Sequence, residues 1–159
     1  MKIPFSLSTK AIDQWLREDW CHVVDPASGW TVAHDFAFEG KLPEHFEYWD
    51  IIDGSGDTVA HCAGRCGKLP ERFTLWQMTN SRGWSVAHSV AASHQGIFPD
   101  HFSGWDLDMD GESVLSLWIY AGKALPDHFR QYDLQDSRGE TIESLAKRFR
   151  NRVVLAQLH

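Results

Sequence analysis

Gly56-Asp57-Thr58-Val59-Ala60-His61, running on through Gly67, Leu69-Pro70, Phe73 and Trp76, is the stretch whose reading decides the fold. It is spelled out repeatedly. Gly29-Trp30-Thr31-Val32-Ala33-His34 leads to Gly40, Leu42-Pro43, Phe46 and Trp49, and Gly83-Trp84-Ser85-Val86-Ala87-His88 leads to Pro99, Phe102 and Trp105. Gly111-Glu112-Ser113-Val114 opens a weaker copy that ends in Leu125-Pro126, Phe129 and Tyr132, and Gly139-Glu140-Thr141-Ile142 opens a truncated one. The hydroxyl residue stands at 31, 58, 85, 113 and 141, so the spacing is 27, 27, 28 and 28. A fixed period of this size marks a stacked repeat, whose units bury against neighbours the apolar face that each is too small to bury alone.

Within a copy, Thr or Ser caps a short helix (31–38, 58–65, 85–94, 113–120), and Gly40, Gly67, Gly96 and Gly122 stand where a left-handed cap ends it. Pro43, Pro70, Pro99 and Pro126 then sit where a second helix begins. That helix carries Phe and Trp (or Tyr132) three residues apart on one buried face. Asp-, Asn-, Ser- and Gly-rich turns return the chain. A helix from about Lys10 to Asp19, capped by Ser8 or Thr9, covers the first copy, and residues after Thr141 cover the last with a stripe of Ile142, Leu145 and Phe149. The boundaries expected are a cap at 1–24, copies at 25–53, 54–80, 81–108 and 109–136, and a cap at 137–159. Two copies are irregular: His88 to Gly96 spans eight residues where the first two copies have six, and the fourth holds Ser116 in place of His.

Gly-x-Thr-x-x-His-x-x-Ala-x-x-Gly, followed by a second helix and an Asp-x-x-Gly loop, resembles the ankyrin repeat over roughly residues 25–150. It departs in its shorter period, in Val-Ala for Pro-Leu, and in Leu-Pro-x-x-Phe-x-x-Trp for the longer aliphatic second helix. The resemblance implies an all-α fold: an ankyrin-like helix-turn-helix-loop solenoid with N- and C-terminal capping helices. It also implies structural roles for Thr31/His34, Thr58/His61 and Ser85/His88, each His bonding the hydroxyl and the neighbouring loop backbone.

Composition narrows the function. Apolar residues make up 43%, with eight Trp and nine Phe, enough for a real core. Fifteen basic against 22 acidic residues give a net charge of −7, which argues against nucleic-acid binding. No apolar run approaches the ~18 residues of a membrane span, and the N-terminus has no secretory pattern. Three cysteines form no disulfide framework. The expectation is a cytoplasmic monomer without a cofactor.

No phosphate loop or nucleophile elbow is present. His34, His61 and His88 do not form a metal site: neighbouring copies lie about 8–10 Å apart, whereas zinc needs every ligand at about 2 Å. Cys62 and Cys66, at i and i+4, are the alternative zinc pair, with Cys21 or His94 as further ligands. Asp106-x-Asp108-x-Asp110-Gly111 starts like a calcium loop, but its twelfth position is Leu117 rather than Glu.

What remains is surface. In the implied architecture the variable loop residues face one side: Ser28/Trp30, Ser55/Asp57, Arg82/Trp84, Asp110/Glu112 and Arg138/Glu140. Residues before the cap glycines extend that face: Phe38/Glu39, Arg65/Cys66, His94/Gln95 and Tyr120/Ala121. Trp and Arg are favoured at binding hot spots, so a partner protein is the expected ligand and binding rather than catalysis the expected activity. The alternative is an acidic nucleic-acid mimic that blocks a basic site through Asp50, Asp53, Asp57, Asp106, Asp108, Asp110 and Glu112. A metal-dependent enzyme using Cys62 and Cys66 is the third reading.

Overall fold

The computed structural model describes residues 17–159. Each copy opens on a tight turn whose arms pair across it. β1 (Val23–Asp25) pairs antiparallel with β2 (Trp30–Thr31), and β3 (Asp108–Met109) with β4 (Glu112–Ser113). The other copies have single bridges at Ile52 to Thr58, Thr79 to Ser85 and Gln135 to Thr141. One side chain builds each of these three turns. Asp53 Oδ1 accepts from the N–H groups of Ser55 and Asp57, Asn80 Oδ1 from Arg82 and Trp84, and Asp136 Oδ1 from Arg138 and Glu140.

Gly56 completes its turn at φ 82°, and a Cβ added there would lie 1.8 Å from Ser81 Oγ of the next copy. Gly56→Ala is therefore expected to destabilise the fold by about 1–3 kcal/mol. A urea midpoint equal to that of the unaltered protein would show that the turns are not packed this tightly.

One helix follows each turn: α1 (Val32–Glu39), α2 (Val59–Arg65), α3 (Val86–Ala92), α4 (Val114–Tyr120) and α5 (Ile142–Arg148). A last helix, α6 (Arg152–Gln157), closes the chain. Helices this short are marginal alone, and the segment ahead of each one holds its start. In α2 the N–H of Val59 donates to Ile51 O, that of Ala60 to Trp49 O, and that of His61 to Thr58 Oγ1. The same three bonds recur in α3 (to Met78, Trp76 and Ser85) and in α4 (to Leu107, Trp105 and Ser113). The donors that a helix start normally leaves open are thereby satisfied.

Consecutive helices pack together from α1 to α6, and small buried residues such as Ala33, Ala60, Ala63, Ala87 and Ala91 face the contacts. Beneath them runs a ladder of rings: Trp20, Phe46, Trp49, Phe73, Trp76, Phe102, Trp105, Phe129 and Tyr132. Successive centroids are 4.9–5.4 Å apart and successive planes 69–89° apart, edge against face throughout.

The all-α, ankyrin-like helix-turn-helix-loop solenoid is therefore corrected. The chain forms a mixed α/β fold with antiparallel strand pairs. Among the described residues the expected second helix is absent from every copy. At Pro43, Pro70, Pro99 and Pro126 the chain makes a turn instead, with the N–H of Phe46, Phe73, Phe102 and Phe129 bonded to the prolyl carbonyl. A second turn closes at Ile51, Met78, Leu107 and Leu134. The short period is the cause. A helix advances only about 1.5 Å per residue, too little to bring the chain back to the next turn in the few residues available. Two turns make that return and still bury the Phe and the Trp together. The strand pairs escaped the sequence reading because they are only two or three residues long and run from stretches read as turns into residues read as helix caps or as the N-terminal cap.

At the N-terminus, most of the expected capping helix (10–19) and its cap at Ser8 or Thr9 lie outside the described residues. Residues 17–20 are helical, and Trp20 is buried against Phe36 and Phe46. At the C-terminus the expected single helix is two, broken where Arg150 takes φ 56°. Asn151 Nδ2 donates to the carbonyls of Ile119 and Lys123, fixing α6 to the fourth copy. Among the described residues no helix is long and apolar enough to cross a membrane.

Candidate functional site

The three histidines are fully buried between copies. Their Nδ1 atoms lie 2.8 Å from Thr31 Oγ1, 2.7 Å from Thr58 Oγ1 and 2.6 Å from Ser85 Oγ. Their Nε2 atoms lie 3.2, 2.8 and 3.1 Å from the carbonyl oxygens of Asp57, Trp84 and Glu112 in the following copy. A carbonyl only accepts, so Nε2 carries the hydrogen and Nδ1 accepts from the hydroxyl. Each ring thus ties its own helix start to the next turn. Burial holds all three imidazoles below their usual pKa, outweighing the carbonyl contacts that favour the charged ring. In the fourth copy the Ser116 hydroxyl donates back to Ser113 O within its own copy.

Beside these ties lies a recurring pair of positions eight residues apart, one in the turn and one near the helix end. It reads Trp30/Phe38, Asp57/Arg65, Trp84/Ala92, Glu112/Tyr120 and Glu140/Arg148. Where the pair is acid and arginine it is bonded. Arg65 Nη1 donates to Asp57 Oδ2 at 2.6 Å, and Arg148 Nη1 donates to Glu140 Oε2. Asn80 also donates to Asp57, at 2.6 Å. Burial works against the Asp57 carboxylate, but these two donors together hold its pKa below the usual value. Where the turn residue is Trp, its ring leans on the tie histidine: Trp30 lies 5.2 Å from the His34 ring and Trp84 6.2 Å from that of His88.

Trp84 separates two open cavities on this face. The first, about 510 Å³, lies between the second and third copies and includes Asp57, Arg65, Arg82, Trp84 and His94 in its walls. The second, about 430 Å³, includes Trp84, Glu112, Tyr120 and Arg138. Nine of the residues assigned to this face from the sequence, Gln95 among them, therefore meet along one groove. The others do not line it. Trp30 and Phe38 belong to the first copy, with Phe38 exposed; Asp110 is at a hairpin tip with φ 54°; Glu140 is held by Arg148. Asn80, Ser93, Leu117, Arg148 and Phe149 also line the groove and were not assigned to this face. The eight-residue pairing already marks Arg148 in the sequence, but nothing there marks Ser93.

The irregular third copy builds the first cavity. α3 stops at Ala92, and the two extra residues of this copy fall in the loop between Ser93 and Gly96. Ser93 Oγ donates to Arg65 O at 2.6 Å on one side of this loop. On the other, Lys123 Nζ donates to Val90 O at 3.0 Å and Gly96 O at 2.9 Å, and lies 3.9 Å over the Trp118 ring. Burial pulls the Lys123 pKa down to about 8, the cost of seating an ammonium here to hold the loop in place.

No family model matches the chain, and no curated protein matches it.

The remaining sequence candidates are placed differently. Cys62 is buried and donates to His34 O at 3.7 Å; burial first, then the neighbouring Cys66, pushes its pKa up to about 12, which disfavours the thiolate that zinc takes. Cys21 is exposed. The Asp106–Gly111 stretch is mostly a tight hairpin, with Asp110 and Gly111 both at positive φ.

Proposed function

We propose that the protein is a non-enzymatic protein-binding module, a cytoplasmic monomer acting as an adaptor or a stoichiometric inhibitor, and that it engages its partner through the groove on either side of Trp84. The observation that carries this reading is Trp84 itself. It is half-buried, it lines both cavities, and it occupies a position that three of the other four copies fill with Asp or Glu. Of the groups weighed for chemistry in the sequence, His34, His61 and His88 bridge copies, and Cys62 is a buried thiol. The acidic-mimic reading has less to work with. Asp50 pairs with Arg17, and Asp53, Asp57 and Asp108 accept hydrogen bonds within the protein.

The test is capture from the native host's lysate with unaltered protein, Trp84→Ala and Trp30→Ala, all verified as folded. A partner retained by the unaltered protein and by Trp30→Ala, but reduced about tenfold or more by Trp84→Ala, is the expected result. Equal retention by Trp84→Ala would remove the groove from the interaction.

A further inference from the structure

We infer that the occupant of the Trp84 groove is an extended, acidic peptide segment of the partner, with two carboxylates flanking an apolar residue; this rests on the reading of the groove as a protein-binding surface.

The charges of the groove specify the ends of that segment. The chain as a whole is acidic, at −7, yet the groove gathers arginines. Arg65 and Arg148 are neutralised by Asp57 and Glu140. Arg82 and Arg138 have no side-chain partner among the described residues, and both are exposed. They hold the same turn position two copies apart, one in each cavity. Glu112 is the one uncommitted carboxylate lining the groove among the described residues, and it belongs to the copy between them. A ligand carboxylate is therefore drawn to either end and repelled from the middle.

The middle is apolar. Trp84, Leu117, Tyr120 and Phe149 line the second cavity, with the Tyr120 and Phe149 rings packed edge to face at 5.2 Å. Tyr120 is 67% exposed, a large aromatic surface left to water.

Spacing favours an extended chain over a helix. Packed helices repeat every 8–10 Å, so positions two copies apart lie about 16–20 Å from each other. An extended chain rises about 3.3 Å per residue and covers that span in about five or six residues. A helix needs about twelve, and its far side would leave the open groove unfilled. The segment thus reads acidic, then an apolar residue near the middle, then acidic five or six positions after the first.

A phage-displayed library of random twelve-residue peptides, selected on the full chain in about 150 mM salt, tests this directly. Selection should enrich Asp or Glu at two positions five or six apart with an apolar residue between. Binding of a selected peptide should fall at least tenfold on Arg82→Glu with Arg138→Glu, and recover with a charge-reversed lysine peptide. Both side chains are exposed, so the double variant is expected to fold, which its urea midpoint verifies. Three results would overturn the inference: enrichment of basic or purely apolar sequences, acidic sequences indifferent to the double variant, or no enrichment at all. In each of those cases, Trp84-dependent capture of a lysate protein would leave the protein-binding reading standing. Loss of that capture as well would remove both.

Discussion

Trp105→Ala is expected to lower the unfolding free energy by about 3–5 kcal/mol. Trp105 is 2% exposed, and its ring lies 5.0 Å from Phe98, 5.2 Å from Phe102, 5.5 Å from Trp118 and 5.3 Å from Phe129. Alanine leaves a cavity that four rings border, and edge-to-face partners lose about 0.5–1.5 kcal/mol per pair beyond the area term. A domain holds only about 5–15 kcal/mol in total, so the loss is a large share. Each rung touches mainly the rungs beside it, so the break also uncouples the copies before Trp105 from those after it. Urea denaturation should therefore show a lower midpoint and a shallower slope. A loss below about 1 kcal/mol would mean that the ladder is not what joins the copies.

Acid should unfold the protein through the three tie histidines. Their folded-state pKa values are depressed by burial, so below the unfolded value of about 6.5 the unfolded chain takes up protons that the folded one refuses. Stability is complete above that value and is lost as pH falls below it. Three such groups give a limiting slope of about 4 kcal/mol per pH unit, about 1.4 from each. Protonation also puts a hydrogen on Nδ1, directly against the hydroxyl that now donates to it. Urea midpoints measured from pH 7.5 to pH 5 should fall steeply below about pH 6.5. A flat profile to pH 5.5 would rule out buried neutral imidazoles as the ties between copies.

The copies and their helices were legible because they depend on local chemistry. Thr58, Ser85, Ser113 and Thr141 each cap a helix one residue ahead of its start, and Gly40 and Gly122 end helices at positive φ. The second half of each copy was misread because Pro-x-x-Phe-x-x-Trp has the same three-residue spacing in two successive turns as on a helix face. Only the distance that the chain must cover separates the two, and that is a property of the whole stack. The groove was half legible. Trp84, Arg82 and Arg138 stand out by comparison between copies, whereas Lys123 acts on carbonyls 27 and 33 residues earlier in the chain. No local pattern announces it. Asn80 and Asp136 were read only as turn composition, and Asp53 as that and as a carboxylate of the acidic mimic, although each side chain accepts two backbone hydrogen bonds.

The ladder of rings also makes the molecule a single chromophore assembly. Indoles alternate with phenyl rings along its length, and Trp105 meets Trp118 at 5.5 Å and 88°. Aromatic rings held this close in a fixed asymmetric arrangement give near-ultraviolet circular dichroism that depends on the packing staying intact. Near-ultraviolet circular dichroism therefore reports directly on the ladder, and its loss on unfolding tracks the copies falling out of register.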